Sequence, residues 1–185
     1  LHRRRHSFPT RRSSDLSFFY LSLSNTVGGA IFHDGNLLPG DAFRCGEAGH
    51  MTLIPDGKPC YCGKTGCVDA YCSARLLSDL SGGRLEDFFL GLQQNNPDYR
   101  SVWDTYLKHL AVVINNLHMI LDYDIVLGGY VGSFLSPWLD TIRRLVAEHN
   151  TFEDDGSFVK LCTYQTGAAA YGAAMDVMEE FLRTV

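Results

Sequence analysis

The chain has 185 residues, of which 45% are hydrophobic and 20% charged, with a formal net charge of −5. It is long enough for one globular domain with a sizeable core, and its acidic balance argues against a nucleic-acid-binding surface. The most apolar stretch, residues 110–127, carries too many polar and charged side chains to cross a membrane, which takes about 20 apolar residues.

The first 16 residues, LHRRRHSFPTRRSSDL, differ from the rest because they hold five arginines and a single acid. A basic leader is typical of a nucleic-acid-binding arm or a targeting segment. This one lacks the apolar stretch of a secretory signal, and the chain does not begin with Met. We interpret residues 1–16 as a junction introduced during cloning or assembly, and expect the domain to span 17–185.

Hydrophobic periodicity and turn residues predict, in chain order, two strands, three helices, a strand, a helix, a strand and a closing helix. Their expected bounds are 17–24, 27–33, 69–80, 84–94, 97–121, 124–127, 133–148, 158–164 and 167–183. Strands that alternate with helices indicate an α/β layer architecture.

The run CGEAGHMTLIPDGKPCYCGKTGCVDAYC, residues 45–72, carries the most specific pattern in the chain. His50, Cys60, Cys62 and Cys67 follow H-x9-C-x-C-x4-C, which can close a tetrahedral zinc site. Four protein ligands leave no open position, so such a zinc would be structural. The other interpretations are scattered small hydrophobes or disulfide partners. The absent signal peptide and the close Cys-x-Cys pair favour a zinc loop at about 40–72. The remaining three cysteines fit ordinary buried thiols.

Three turns rich in glycine, at residues 24–29, 128–132 and 166–172, follow predicted strands. Glycine in such a turn lets backbone amides approach a phosphate closely. Packing glycines in tight turns are the simpler interpretation, and none of the three matches a P-loop or G-x-G-x-x-G motif.

Glu47, His50 and Asp69 bracket the cysteine loop. Two carboxylates and an imidazole are groups that grip sugar hydroxyls, since a carboxylate accepts hydrogen bonds from neighbouring hydroxyls. Glu47 is equally well explained as a solvated loop acid, and Asp69 as a helix-start residue that favours the helix dipole. The chemistry of the residues leaves both interpretations open.

The segment CGEAGHMTLIPDGKPCYCGKTGCVDAYCS resembles the signature of the ROK family, which groups bacterial sugar kinases, sugar-responsive repressors and uncharacterised proteins. The resemblance covers residues 17–185. It implies an α/β fold, the C-terminal lobe of an actin-like (ribonuclease H-like) sugar kinase with a zinc-binding loop. It assigns zinc to His50, Cys60, Cys62 and Cys67, sugar contacts to Glu47, His50 and Asp69, and nucleotide contacts to Asn25, Thr26, Gly28, Gly128 and Gly129.

Two functions follow from the resemblance. The first is an ATP-dependent hexokinase that transfers phosphate from Mg-ATP to a hexose or N-acetylhexosamine. In the family, the first phosphate loop and the catalytic base belong to an N-terminal half, so we expect this chain alone to be inactive. The second is a sugar-sensing transcriptional regulator that binds DNA through a helix-turn-helix elsewhere in the protein. A zinc-stapled dimerisation module is a third option. The resemblance also implies a homo-oligomer, and the zinc-type cysteine usage with the missing signal fits a reducing cytoplasm.

Several residues depart from the pattern of the family's kinases. Ser24, Thr26, Ala30 and Tyr130 stand where glycines are usual, and Asp69 replaces a Glu. A Cβ restricts positive φ and close phosphate approach. We therefore expect weakened ATP binding with sugar binding retained. This turn fits the regulator better, while the resemblance as a whole favours the kinase as the parent protein.

Overall fold

The computed structural model describes residues 17–164. The basic leader, the third glycine turn and the predicted closing helix at 167–183 lie outside these residues.

The centre of the fold is a five-stranded mixed sheet in the order β3-β2-β1-β4-β5. Its strands are β1 (Phe18–Leu23), β2 (Val27–His33), β3 (Asn36–Leu38), β4 (Asp124–Gly128) and β5 (Val159–Leu161). β1 pairs antiparallel with β2 and parallel with β4, and β4 pairs parallel with β5. The four predicted strands are confirmed, although β5 is shorter than expected, and β3 was not predicted.

Within residues 17–164, six α-helices accompany the sheet: α1 (Asp69–Cys72), α2 (Ala74–Ser78), α3 (Leu85–Gln93), α4 (Pro97–Leu121), α5 (Gly129–Gly132) and α6 (Leu139–Ala147). α4 has the predicted bounds because the Asn96 side chain accepts hydrogen bonds from the first free amides and Pro97 occupies the first position. None of the helices within residues 17–164 combines the length and apolar character that crossing a membrane requires.

Two helix predictions are wrong in their bounds. The helix expected at 69–80 is interrupted at Ser73, whose ψ of 155° is extended. The break lets the amide of Ala74 donate to the carbonyl of Ser24 at 2.7 Å, so a tertiary contact overrides helix propensity. The helix expected at 133–148 begins instead as a 3-10 turn at Ser136–Trp138, which contains Pro137, before α6 starts at Leu139.

The core lies between the sheet and the helices. Along β1, Phe19, Leu21 and Leu23 are buried while the intervening residues are partly exposed, as the alternation of strand side chains requires. α4 supplies the facing side chains, including Trp103, which is fully buried. Tyr106 on α4 donates its hydroxyl hydrogen to the carbonyl of Cys72 at 2.7 Å, which ties α4 to α1.

Candidate functional site

The four residues of the predicted metal site come together in the fold. The ligand atoms of His50, Cys60, Cys62 and Cys67 all lie within 4.8 Å of one another. The two sulfurs of Cys62 and Cys67 are 3.8 Å apart, and His50 Nδ1 is 3.9 Å from the Cys60 sulfur. Tetrahedral zinc with Zn–S bonds of about 2.3 Å places its sulfurs about 3.8 Å apart. The side chains therefore fit a tetrahedral ion.

The backbone of the cysteine loop, residues 50–67, is held by its own hydrogen bonds. Cys60 donates its amide to the carbonyl of Lys64 at 2.8 Å, and Gly66 donates to Lys58 at 2.8 Å. An antiparallel bridge joins Thr52 to Cys67. These contacts bring the Cys-x-Cys pair back towards His50 and present three thiols on one side of the loop.

The position of Cys67 in the cluster makes its thiol costly to ionise without a cation. Burial, together with the neighbouring Cys62 and Cys60, raises the pKa of Cys67 to about 12. For Cys62, a hydrogen bond from the Lys64 backbone lowers the pKa. A divalent ion compensates thiolate charge in such a cluster. All six cysteines of the chain are free thiols in the structure, and Cys45 and Cys162 are only partly buried, contrary to expectation.

The predicted sugar-binding residues lie near the start of strand β2. His50 ends a 3-10 turn, Ala48–His50, and its amide donates to the carbonyl of the exposed Glu47 at 3.1 Å. Gly49 in this turn lies so close to β2 that a Cβ would sit 2.0 Å from the Val27 carbonyl oxygen. Only glycine allows that approach. The turn that carries Glu47 and His50 is thereby fixed against the start of β2.

Asp69, the first residue of α1, reaches Val27 from the other direction. Its carboxylate is buried, with 7% exposure, and Oδ1 accepts a hydrogen bond from the Val27 amide at 2.6 Å. One carboxylate oxygen of Asp69 is therefore engaged in a structural hydrogen bond. The other oxygen is the one that could receive a ligand hydroxyl.

The predicted nucleotide-binding residues lie at one edge of the sheet, where the carboxyl ends of the parallel strands β1 and β4 meet. Asn25 and Thr26 are exposed in the β1–β2 turn, residues 24–26. Gly128 ends β4 and is paired with Ser22 of β1. The structure therefore brings the two glycine-bearing turns side by side.

Two glycines in these turns differ in what surrounds them. Gly129 has a φ of +78°, and a Cβ there would lie 2.6 Å from Ser24 Oγ, so the β4–α5 turn presses on the β1–β2 turn. Among the atoms of residues 17–164, in contrast, none lies within 4 Å of the position that a Cβ of Gly28 would take. The open side of Gly28 leaves room for a ligand against the backbone.

A cavity of about 300 Å³ adjoins these turns. It is lined by Asn25, Ala74, Ser78, Gly83, Leu85, Glu86, Tyr130, Ser133 and Phe134. Its walls combine apolar side chains with a few polar groups, as pockets for small organic ligands do.

The residues that replace glycine in the family pattern cause no backbone strain. Ser24, Thr26, Ala30 and Tyr130 are not among the described residues with positive φ. These four residues therefore stay within the φ range that residues with a Cβ normally adopt.

One residue of the site was not predicted from the sequence. Tyr61, between the ligands Cys60 and Cys62, places its hydroxyl 3.2 Å from His50 Nε2. The only sequence signal for it is its position inside the Cys-x-Cys pair, which fixes it beside the metal ligands.

The metal cluster, the paired turns and the sheet order are the features by which this chain can be compared with known proteins. Residues 8–180 match the model of the ROK family. The chain belongs to the ROK family. It is 29% identical over 164 residues to the N-acetylmannosamine kinase of Salmonella typhi, an alignment that covers 84% of this chain and 55% of that protein. This ROK chain spans about half the length of the curated relatives it matches.

Solved ROK structures share the fold. The ROK hexokinase from Thermus thermophilus superposes with a TM-score of 0.70 at 24% identity, covering 88% of this chain and 58% of that one. A ROK family transcriptional regulator, a homologue of the E. coli MLC protein, superposes with a TM-score of 0.64 at 22% identity, covering 78% and 41%. These similarities confirm the predicted actin-like α/β fold.

Proposed function

We propose that the protein to which this chain belongs is an ATP-dependent sugar kinase acting on a hexose or an N-acetylhexosamine. The observation that carries the proposal is the shared contact at Val27. Its amide donates to Asp69 and its carbonyl oxygen abuts Gly49, one residue before Gly28 opens towards solvent. The proposed sugar-binding and phosphate-binding groups thus adjoin on one strand, which supports the kinase because phosphoryl transfer depends chiefly on such positioning.

Each candidate residue has a definite task in this proposal. The carboxylate of Glu47 and the free oxygen of Asp69 accept hydrogen bonds from sugar hydroxyls, and His50 Nε2 binds a further hydroxyl. Amides of the β1–β2 turn, at Asn25, Thr26 and Gly28, line the phosphates of Mg-ATP. Gly128 and Gly129, with the adjoining cavity, flank the nucleoside. We assign the base that takes the sugar proton to another part of the protein, which corresponds to the half of the relatives that this chain does not cover.

The proposed metal is one structural zinc on His50, Cys60, Cys62 and Cys67. When bound, it neutralises the thiolates and fixes the loop. By holding His50 Nδ1 it would leave Nε2 directed at the sugar. Reduced zinc thiolates suit the cytoplasm, where we place the protein, and a homo-oligomer remains our proposal for its assembly.

The test is a kinase assay of the intact protein. With ATP, magnesium and a panel that includes glucose, fructose, N-acetylglucosamine and N-acetylmannosamine, we expect ADP release that depends on one sugar. Calorimetry with the same panel runs in parallel. Sugar binding without ADP release from any sugar would contradict the kinase and support a sensor.

The regulator stays the second candidate because of one feature of the turn. Asn25 and Thr26 present exposed side chains at the position where a phosphate would contact the backbone. A sensor needs the sugar site but not the phosphate turn, and a ligand shifts its conformational equilibrium by differential affinity. DNA contacts would come from another part of that protein.

A substitution of Gly28 separates these candidates. Because a Cβ at this position meets no atom of the described residues 17–164 and φ is not positive, Gly28→Ala is expected to change the free energy of unfolding by less than about 1 kcal/mol. In a kinase, the new methyl group occupies the space against which the phosphates lie. We expect ATP affinity to fall at least about tenfold, with sugar affinity unchanged, by calorimetry.

Gly132→Ala is the matched control, since Gly132 is buried in α5 and its Cβ would make only ordinary contacts at 3.5 Å. This variant should bind ATP like the parent. Equal ATP affinity of the Gly28→Ala protein and the parent would remove the β1–β2 turn from the nucleotide site.

A further inference from the structure

Tyr61 is an exposed aromatic residue at the junction of the metal cluster and the proposed sugar site. Its side chain is 65% exposed, although both neighbours in the chain are metal-ligand candidates. The ring meets the His50 ring edge-on, with centroids 5.3 Å apart, and the hydroxyl lies 3.2 Å from Nε2. The cysteine loop thus fixes the backbone of Tyr61 and leaves the ring accessible.

The nitrogen that Tyr61 contacts is the one left for a ligand. His50 Nδ1 faces the Cys60 sulfur, on the metal side of the ring. A histidine that ligates a metal normally gives its other nitrogen to a carboxylate, a carbonyl or water. Here the partner is an exposed phenol, so any hydroxyl that reaches Nε2 must also approach the Tyr61 oxygen.

The hydroxyl of Tyr61 matches the chemistry of a sugar hydroxyl. A neutral phenol both donates and accepts hydrogen bonds, as does a sugar hydroxyl.

We propose that Tyr61 is a further sugar-contacting residue, whose hydroxyl binds the sugar hydroxyl held by His50 Nε2 and whose ring packs against the apolar C–H face of the sugar. The proposal rests on the proposed sugar site and extends it. Tyrosine suits the task because it pairs a rigid apolar ring with a polar tip at little cost in conformational entropy. The contact would make the residue between the two cysteines a determinant of sugar specificity.

The test is calorimetric titration of the intact zinc-loaded protein with glucose and with N-acetylmannosamine. Loss of one neutral hydrogen bond in Tyr61→Phe should weaken binding of the cognate sugar about three- to tenfold. Tyr61→Ala, which also removes the ring, should weaken it more than Tyr61→Phe does. The zinc content of both variants should equal that of the parent.

Tyr123→Phe is the matched control. Tyr123 also places its hydroxyl on a histidine, 2.6 Å from His33 Nδ1, but at the opposite end of the sheet, where β4 begins. Its removal deletes the same kind of hydrogen bond far from the proposed site. The Tyr123→Phe protein should bind sugar like the parent.

Monodeoxy analogues of the cognate sugar distinguish contact from mere orientation of His50. If Tyr61 touches one hydroxyl, the penalty of Tyr61→Phe disappears for the analogue that lacks this hydroxyl. An equal penalty for all analogues would overturn the proposal, as would unchanged or tighter binding of the cognate sugar by Tyr61→Phe. A parent protein that binds no sugar of the panel would overturn the sugar site and this contact together, whereas the other outcomes leave the sugar site standing.

Discussion

Replacing Cys67 with Ser is expected to abolish stoichiometric zinc binding and to destabilise the protein by about 3 kcal/mol or more. Cys67 is 2% exposed and lies among three other ligand candidates, so its loss leaves an incomplete donor set in a buried position. In small modules structural zinc supplies roughly 10–16 kcal/mol of folding free energy. For a chain of this size, 3 kcal/mol corresponds to a fall in Tm of about 6–12 °C.

Elemental analysis of protein purified without chelators, together with thermal unfolding, measures both effects. Cys162→Ser is the control, because this thiol is only partly buried and lies after β5, outside the cluster. That variant should keep one zinc per chain and the melting temperature of the parent. Full zinc in the Cys67→Ser protein, or a parent with far less than one zinc per chain, would contradict the metal site.

The elements predicted best are those whose signals are local. The alternation in FFYLSL is sufficient for β1, because one face of the strand is buried on the core. For α4, Asn96 and Pro97 mark the start and the long apolar stripe defines the body. Both signals lie within the element that they predict.

The errors occur where a distant contact decides the local conformation. Ser73 is extended because the amide of Ala74 bonds to Ser24, a partner about fifty residues earlier in the chain. No pattern in the sequence around residues 69–80 predicts that hydrogen bond. β3 was missed because it has three exposed residues, Asn36–Leu38, without a buried face to impose a pattern.

In the candidate site, too, the residues of a local motif were predicted, whereas the arrangement that depends on distant contacts was not. The metal ligands were predictable because their characteristic spacing lies within one short segment of the chain. In the structure, all four ligand atoms lie close together. The junction of the proposed sugar and phosphate groups was not, since it depends on a hydrogen bond from Val27 to Asp69, 42 residues apart. Tyr61 has no motif of its own, so only the fold shows that it faces His50.

Glu47→Gln is expected to weaken sugar binding by the intact protein about 10- to 150-fold, the equivalent of one hydrogen bond to a charged group. The substitution keeps the size of the side chain and removes its charge. Glu47 precedes the 3-10 turn but caps it with no side-chain hydrogen bond, and the side chain is exposed. Within residues 17–164, this carboxylate has no hydrogen bond or ion pair, so the melting temperature and zinc content should stay at the values of the parent.

This independence from the fold makes Glu47 a sharper probe than Asp69. A change at Asp69 also removes an acceptor for the Val27 amide, so lost sugar binding there would mix a ligand effect with a displaced β1–β2 turn. Asp41→Asn, in the same connection after β3, removes one exposed negative charge and controls for net charge. Calorimetry with the cognate sugar then has one decisive comparison. If Glu47→Gln and Asp41→Asn bind alike, Glu47 is a solvated loop acid, and the sugar must be held by other groups.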